Sequence, residues 1–194
     1  MKRSDDGDRL HESYLFEIDE FDYVCSERSA APSARSGPPT DDQRTMFHDI
    51  FADAGTRALF RSVLDHVRAT SETVSFPYRC DTDTHYVFMR AVVFKSSSRR
   101  VGFLNRIIGR EPRATGVRML RAHVLELADF TACSICSRLK HGEEWIEFQQ
   151  LVERGLWPPD ERIMRCALDT CPDCENAVAQ RIAESRRSFE RKTA

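Results

Sequence analysis

No stretch of the sequence approaches the roughly 18 consecutive apolar residues that a membrane-spanning helix needs. Its polar opening residues 1–6 lack the apolar core of a signal peptide. There is no Gly-x-Ser-x-Gly elbow, no glycine-rich phosphate loop and no His-Glu-x-x-His pair, so no nucleophile–base or nucleotide machinery is visible. Charge of one sign is lacking too: the net charge is −2, which gives no long-range pull toward nucleic acid or an anionic membrane. Together these absences predict a soluble, cytoplasmic protein that regulates or senses rather than catalyses, with no membrane association.

What is present is an adequate core and an unusual amount of cysteine. Hydrophobic residues make up 41% of the 194, enough for one medium domain or two small ones. Seven cysteines in a reducing compartment argue against a disulfide framework and for metal or thiol chemistry.

The pattern along the chain predicts an α+β protein. Residues 1–12 read as a disordered start. Residues 14–18 and 23–25 read as the strands of a hairpin, and residues 26–45, rich in Ser, Ala, Pro and charge, as a mobile loop. A helix is predicted over 55–70, where Leu59, Phe60, Val63, Leu64 and Val67 form one stripe and Asp53 or Thr56 supplies the cap. Three strands are predicted over 74–80, 86–94 and 101–108, giving an antiparallel sheet with helices on one side. A second helix is predicted over 116–129, with Val117, Leu120, Val124 and Leu127 on one face. It would connect two modules or mediate self-association. The reading is thus of a domain over 13–112, a connecting helix over 113–130 and a cysteine module over 131–194 that ends in a basic helix.

The cysteine module carries the chemistry. Cys133-Ser-Ile-Cys136 and Cys171-Pro-Asp-Cys174 are two Cys-x-x-Cys pairs, and two such turns complete a tetrahedron around one ion. A set of four thiolates with no open position suits structural Zn²⁺. An iron–sulfur cluster, a redox dithiol at Cys171 and Cys174 and four bystander thiols are the competing readings. Between the pairs, residues 144–148 read as a strand entering a short helix, and Cys171-Pro172 opens the last helix. Arg138, Lys140, Arg162 and Arg165 are close enough in sequence to offset the −2 charge of a zinc tetrathiolate. Zinc knuckles often carry Gly after the second cysteine, whereas Ser137 and Glu175 stand there. Cys166 reads as a small buried hydrophobe or a substitute ligand, and Cys25 and Cys80 as core residues.

Three histidines and one aromatic group are weaker candidates. His66 on the main helix is a conceivable haem ligand, with His48 and His85 behind it. Phe76, Tyr78, Tyr86, Phe88, Phe94 and Phe103 fit either a ligand pocket or core. The basic run Arg181, Arg186, Arg187, Arg191 and Lys192 fits a phosphate-binding surface, although Glu184 and Glu190 interrupt it.

Residues 14–25 resemble the opening hairpin of a PAS domain. His48-Asp49-Ile50-Phe51 followed by Ala54-Gly55-Thr56-Arg57 resembles that family's step into its long helix, and residues 68–76 its helix exit and next strand. Cys133-Ser-Ile-Cys136, Trp145 and Cys171-Pro-Asp-Cys174 are similar to a cysteine-bearing extension found with some bacterial PAS-type proteins. The resemblance implies a curved five-stranded antiparallel sheet flanked by short helices. It also implies sensing or signal relay, a protein partner or homodimer, and a small-molecule ligand. Two other functions compete with that one: a nucleic-acid-binding regulator using the cysteine module and basic tail, and a thiol-based redox sensor.

Overall fold

A computed structural model describes residues 13–29, 45–50, 53–122, 127–158 and 160–193. The expected disordered start at 1–12 lies outside them, as does most of the expected loop at 26–45.

The first half is a five-stranded antiparallel sheet. Strand β1 (Ser13–Ile18) alternates, so Phe16 and Ile18 point inward. Asp19 Oδ1 then accepts from the backbone N of Phe21 and Tyr23, at 2.9 and 3.0 Å, and turns the chain. Strand β2 (Val24–Ser29) returns, so residues 26–29 belong to a strand and not to the expected loop; pairing with β1 accounts for them. After a 3-10 turn at Phe47–Ile50, helix α1 (Ala54–Thr70) begins. Asp53 is its cap, accepting from Thr56 N at 2.6 Å. Ser71, left-handed at φ 61°, stops the helix by donating its N–H to the Val67 carbonyl.

Strands β3 (Val74–Arg79), β4 (His85–Ser97) and β5 (Arg100–Pro112) follow, and the sheet order is β2-β1-β5-β4-β3. Phe16 and Phe103 stack at 4.7 Å, Phe47 leans on both, and Val63, Leu64 and Val67 of α1 close over them. Each of these side chains contributes roughly 1.5–3 kcal/mol by leaving water. On the ladder between β4 and β5, Phe94 lies across Gly102, where a Cβ would come within 2.6 Å of the ring.

The second half departs from expectation at its start. Residues 118–121 form strand β6 (Arg118–Arg121), not a turn of the helix predicted over 116–129. Val117 is buried and Met119 packs on the core, while Leu120 is exposed. That is a period of two, which a strand satisfies and a helix does not. Residues 123–126 lie outside the described set. Strands β7 (Phe130–Cys133), β8 (Leu139–His141) and β9 (Glu144–Ile146) lead into helix α2 (Phe148–Glu153). Strand β10 (Ile163–Asp169), which has no counterpart in the sequence reading, inserts between β6 and β7 and runs parallel to both. The second sheet has the order β6-β10-β7-β8-β9. Its core is small: Val117, Leu139, Ile146, Phe148, Leu151 and Met164 form the centre.

Helix α3 (Pro172–Thr193) is the last element. It leaves the second sheet and packs on α1 and β3. Val178 belongs to the core of the first sheet, Ile182 packs against it, and His66 of α1 hydrogen-bonds Ser185 Oγ at 2.9 Å. Cys174, Val178 and Ile182 recur every four residues, and that narrow stripe finds its apolar partner across the molecule. Residues 131–194 are therefore not self-contained. No helix among the described residues is long and apolar enough to cross a membrane.

Candidate metal centre

The first cysteine pair sits on the turn between β7 and β8. Cys133 ends β7, and its N–H donates to the Arg138 carbonyl at 2.7 Å. Ser137 N donates back to the Cys133 carbonyl at 2.9 Å, folding the turn so that both thiols face one way. That closure needs a left-handed residue, and Ser137 supplies it at φ 61°. The position is the one where glycine was missed in the sequence. A non-glycine residue adopts it at a cost of about 1 kcal/mol.

The second pair sits on the first turn of α3. Cys171 precedes Pro172, and its carbonyl accepts from Cys174 N and Glu175 N at 3.0 and 3.1 Å. The helix start points its partial positive charge at the sulfurs. Cys171 N donates to Cys133 Sγ at 3.4 Å, joining the two pairs.

The four Sγ atoms of Cys133, Cys136, Cys171 and Cys174 lie within 4.8 Å of one another. Cys136 Sγ and Cys171 Sγ are 3.8 Å apart. A tetrahedral zinc with Zn–S bonds near 2.3 Å separates its sulfurs by about 3.8 Å, whereas a disulfide holds them at about 2.05 Å. The donor set and spacing therefore fit a divalent ion bound by four thiolates. Cys133 and Cys171 are fully enclosed and Cys174 nearly so.

The electrostatics differ from one thiol to the next. Hydrogen bonds from Cys133 and Cys174, with help from Arg138, pull the Cys136 thiol far below its ordinary range against the opposing effect of burial. Hydrogen bonds to Cys133 and Cys136, reinforced by burial, push Cys174 up. Arg138 spans the rim: Nε donates to Cys136 Sγ at 3.3 Å, and Nη2 to Cys171 Sγ at 3.4 Å and to Asp173 Oδ2 at 2.7 Å. Of the four cations named from sequence, Arg138 is the one placed on the thiols. Lys140 is exposed, Arg162 donates to the Gly116 carbonyl at 3.1 Å, and the side chain of Arg165 is exposed.

The centre lies at the junction of the two sheets. Arg79 N, at the end of β3, donates to the Ile135 carbonyl inside the first cysteine turn at 2.7 Å. The Arg79 guanidinium pairs with Asp81 and reaches both oxygens of Glu147, the cap of α2, at 2.8 Å. Burial alone would lower its pKa, but these carboxylates more than compensate, so it stays charged. Thr56 of α1 hydrogen-bonds Ser134 beside Cys133 and, at 2.9 Å, Thr170 beside Cys171. Leu59 and Phe60 of α1 pack on the cysteines. None of these links was legible, because their partners lie far apart in sequence.

The remaining candidates are placed elsewhere. Cys166 is buried among the apolar residues of the second sheet, which pushes its thiol up to about 12, and it is not a member of the cluster. Cys25 is half-buried and Cys80 is exposed, so neither is the core residue expected; Cys80 lies just past the end of β3, its N–H still donating to the Val87 carbonyl of β4 at 2.9 Å while the residue itself stays exposed. His66 is a buried bridge to α3, His48 pairs with Asp22 at 2.9 Å, and His85 is exposed. Of the aromatic group, Phe76 and Phe103 are core. Tyr86 lies under the guanidinium groups of Arg79 and Arg113, at 4.7 and 5.0 Å. Phe76, Tyr78 and Phe88 border an apolar groove of about 280 Å³ that reaches Cys136 and Cys174. In the basic run, Arg181 pairs with Glu184 and Lys192 with Glu72, both at 2.9 Å.

Compared with models of known protein families, with curated proteins and with solved structures, the chain matches none.

Proposed function

We propose that the chain is a non-enzymatic, PAS-like regulatory protein of the cytoplasm in which a structural zinc ion, held by Cys133, Cys136, Cys171 and Cys174, fastens the second sheet and α3 to a sensing sheet. The observation that carries the reading is the position of the thiolate cluster. It sits where α3 leaves the second sheet to enter the core of the first. An ion there supplies folding free energy and no bond chemistry. A change at either sheet is felt by the other through α3, Arg79 and Thr56, and relay follows from binding a ligand or a protein partner.

The five-stranded antiparallel sheet with α1 across it supports the PAS-like part of the reading. The grouping of all four Sγ atoms within 4.8 Å of one another, rather than of one pair, favours zinc over a redox dithiol. The ion pairs on α3 weigh against the basic tail as a nucleic-acid surface, since Arg181 and Lys192 already have partners.

Metal analysis of the purified chain with its ultraviolet–visible spectrum tests the proposal. One zinc per chain and no visible absorbance are expected. Iron, haem or flavin bands would replace it with a cofactor-based sensor, and seven free thiols without metal would favour the redox reading. Duplex DNA binding that falls steeply with salt would favour the nucleic-acid reading.

A further inference from the structure

Arg113, just past β5, is only 8% exposed. Its guanidinium lies against the faces of two rings, 5.0 Å from the Tyr86 centroid and 5.3 Å from that of Phe148. Nη1 donates to the Thr82 carbonyl at 3.1 Å. Nε and Nη2 are buried and have no hydrogen-bond partner. Leaving such donors unpaired is costly, and more so when they carry charge. The two free donors share one edge of the guanidinium, the edge that accepts a carboxylate side-on through two parallel hydrogen bonds.

The same arginine lines a cavity of about 360 Å³ between the β3–β4 loop and the second sheet. That volume is at the small end of ligand pockets, about 300–1,000 Å³. Its floor is apolar: Val117, Met119, Ala132, Cys166 and Leu168 come from β6, β7, β10 and the approach to β6. The wall is tight where the chain at Gly116 passes the loop, since a Cβ there would come within 2.9 Å of the Asp83 carbonyl. Asp81 and Asp83 also border the cavity, and Asp81 is already held by Arg79. Arg121 lines the cavity as well, so the acids and arginines at its border roughly balance, and it is the apolar floor that favours a monocarboxylate with an apolar body over phosphate. Cys133 and Ser137 of the first cysteine turn also line it.

We infer that this cavity binds a small monocarboxylate with an apolar body, the Arg113 side chain turning so that its enclosed Nε and Nη2 meet the carboxylate while the body lies on the floor of the second sheet. The ligand would sit against the turn that carries Cys133. This deepens the regulatory reading by naming a ligand class; the site itself rests on Arg113 and the cavity.

The test uses the full, metal-loaded chain, with benzoate, hexanoate, benzamide and inorganic phosphate as probes. Melting temperature and the Arg113 ¹⁵Nε resonance are followed. Benzoate and hexanoate should raise the melting temperature saturably and shift that resonance, while neutral benzamide and phosphate do neither. Arg113→Gln should weaken benzoate binding at least about tenfold, the scale of one charged hydrogen-bonded pair. Because that variant also removes a stacked side chain, Leu120→Trp at the exposed rim serves as the second. It leaves Arg113 in place and fills the cavity, and should weaken binding by a similar factor. No response to either carboxylate at ~10 mM, an equal response to phosphate, or unchanged binding in both variants would overturn the site. Those failures would leave the zinc reading intact, since metal content is measured separately.

Discussion

The two sheets reach stability by different routes. The first has strands of up to 13 residues in β4 and β5, an aromatic centre of Phe16, Phe47 and Phe103, and α1 laid across it. The second is built from strands of three to seven residues around a small core of mainly aliphatic residues with Phe148. Small cores leave little margin over chain entropy, and small folds commonly add a metal or disulfides. The thiolate cluster stands where the second sheet needs that addition, and α3 carries the benefit to the first.

The largest effect should come from breaking the cluster. Cys171→Ser should cost more than about 5 kcal/mol, unfolding the second sheet and freeing α3. Circular dichroism with metal analysis would show the loss, and a full-strength single transition without metal would contradict it. Phe103→Ala should strike the other side, at about 3–5 kcal/mol, while zinc content stays at one per chain. Loss of zinc in that variant would mean the two sheets cannot be separated energetically.

A smaller effect sharpens the local account. Ser137→Gly should stabilise the metal-loaded protein by about 0.5–1 kcal/mol, because glycine adopts φ 61° without strain. Thermal melting would show it, and a destabilised Ser137→Gly would mean the serine side chain matters more than the backbone. The smallest effect concerns pH. Burial, aided by Arg186, lowers the His66 pKa from 6.5. The unfolded chain therefore binds the proton first, and stability falls as pH drops below about 6.5. His66→Gln should flatten that part of the pH–stability curve. A slope unchanged by the substitution would place the titration elsewhere.

How much of this was legible depended on the range of the forces involved. The α1 stripe, the β4–β5 turn and the four cysteines are local patterns, and the sequence carries them openly. Strand β6 was misread as helix because Val117, Leu120, Val124 and Leu127 satisfy a helical period as well as Val117 and Met119 satisfy a strand. Its parallel partner β10 lies more than 40 residues away, and nothing in residues 116–129 announces it. The packing of α3 on the first sheet was hidden for a similar reason. Val178 and Ile182 look like a thin stripe on a polar helix, and only the first sheet shows what they cover. Ser137 was noted as a departure, and its φ explains how the turn closes without glycine. Arg113 gave no signal, since an arginine after a Glu-Pro step reads as a solvated connector.

The most direct test follows amide hydrogen exchange across the chain before and after chelation. If the thiolate cluster fastens the molecule, then β7, β8, β10 and α3 lose protection together, while β1, β4 and β5 keep most of theirs. Protection of α3 and the second sheet that survives complete metal removal would contradict the account.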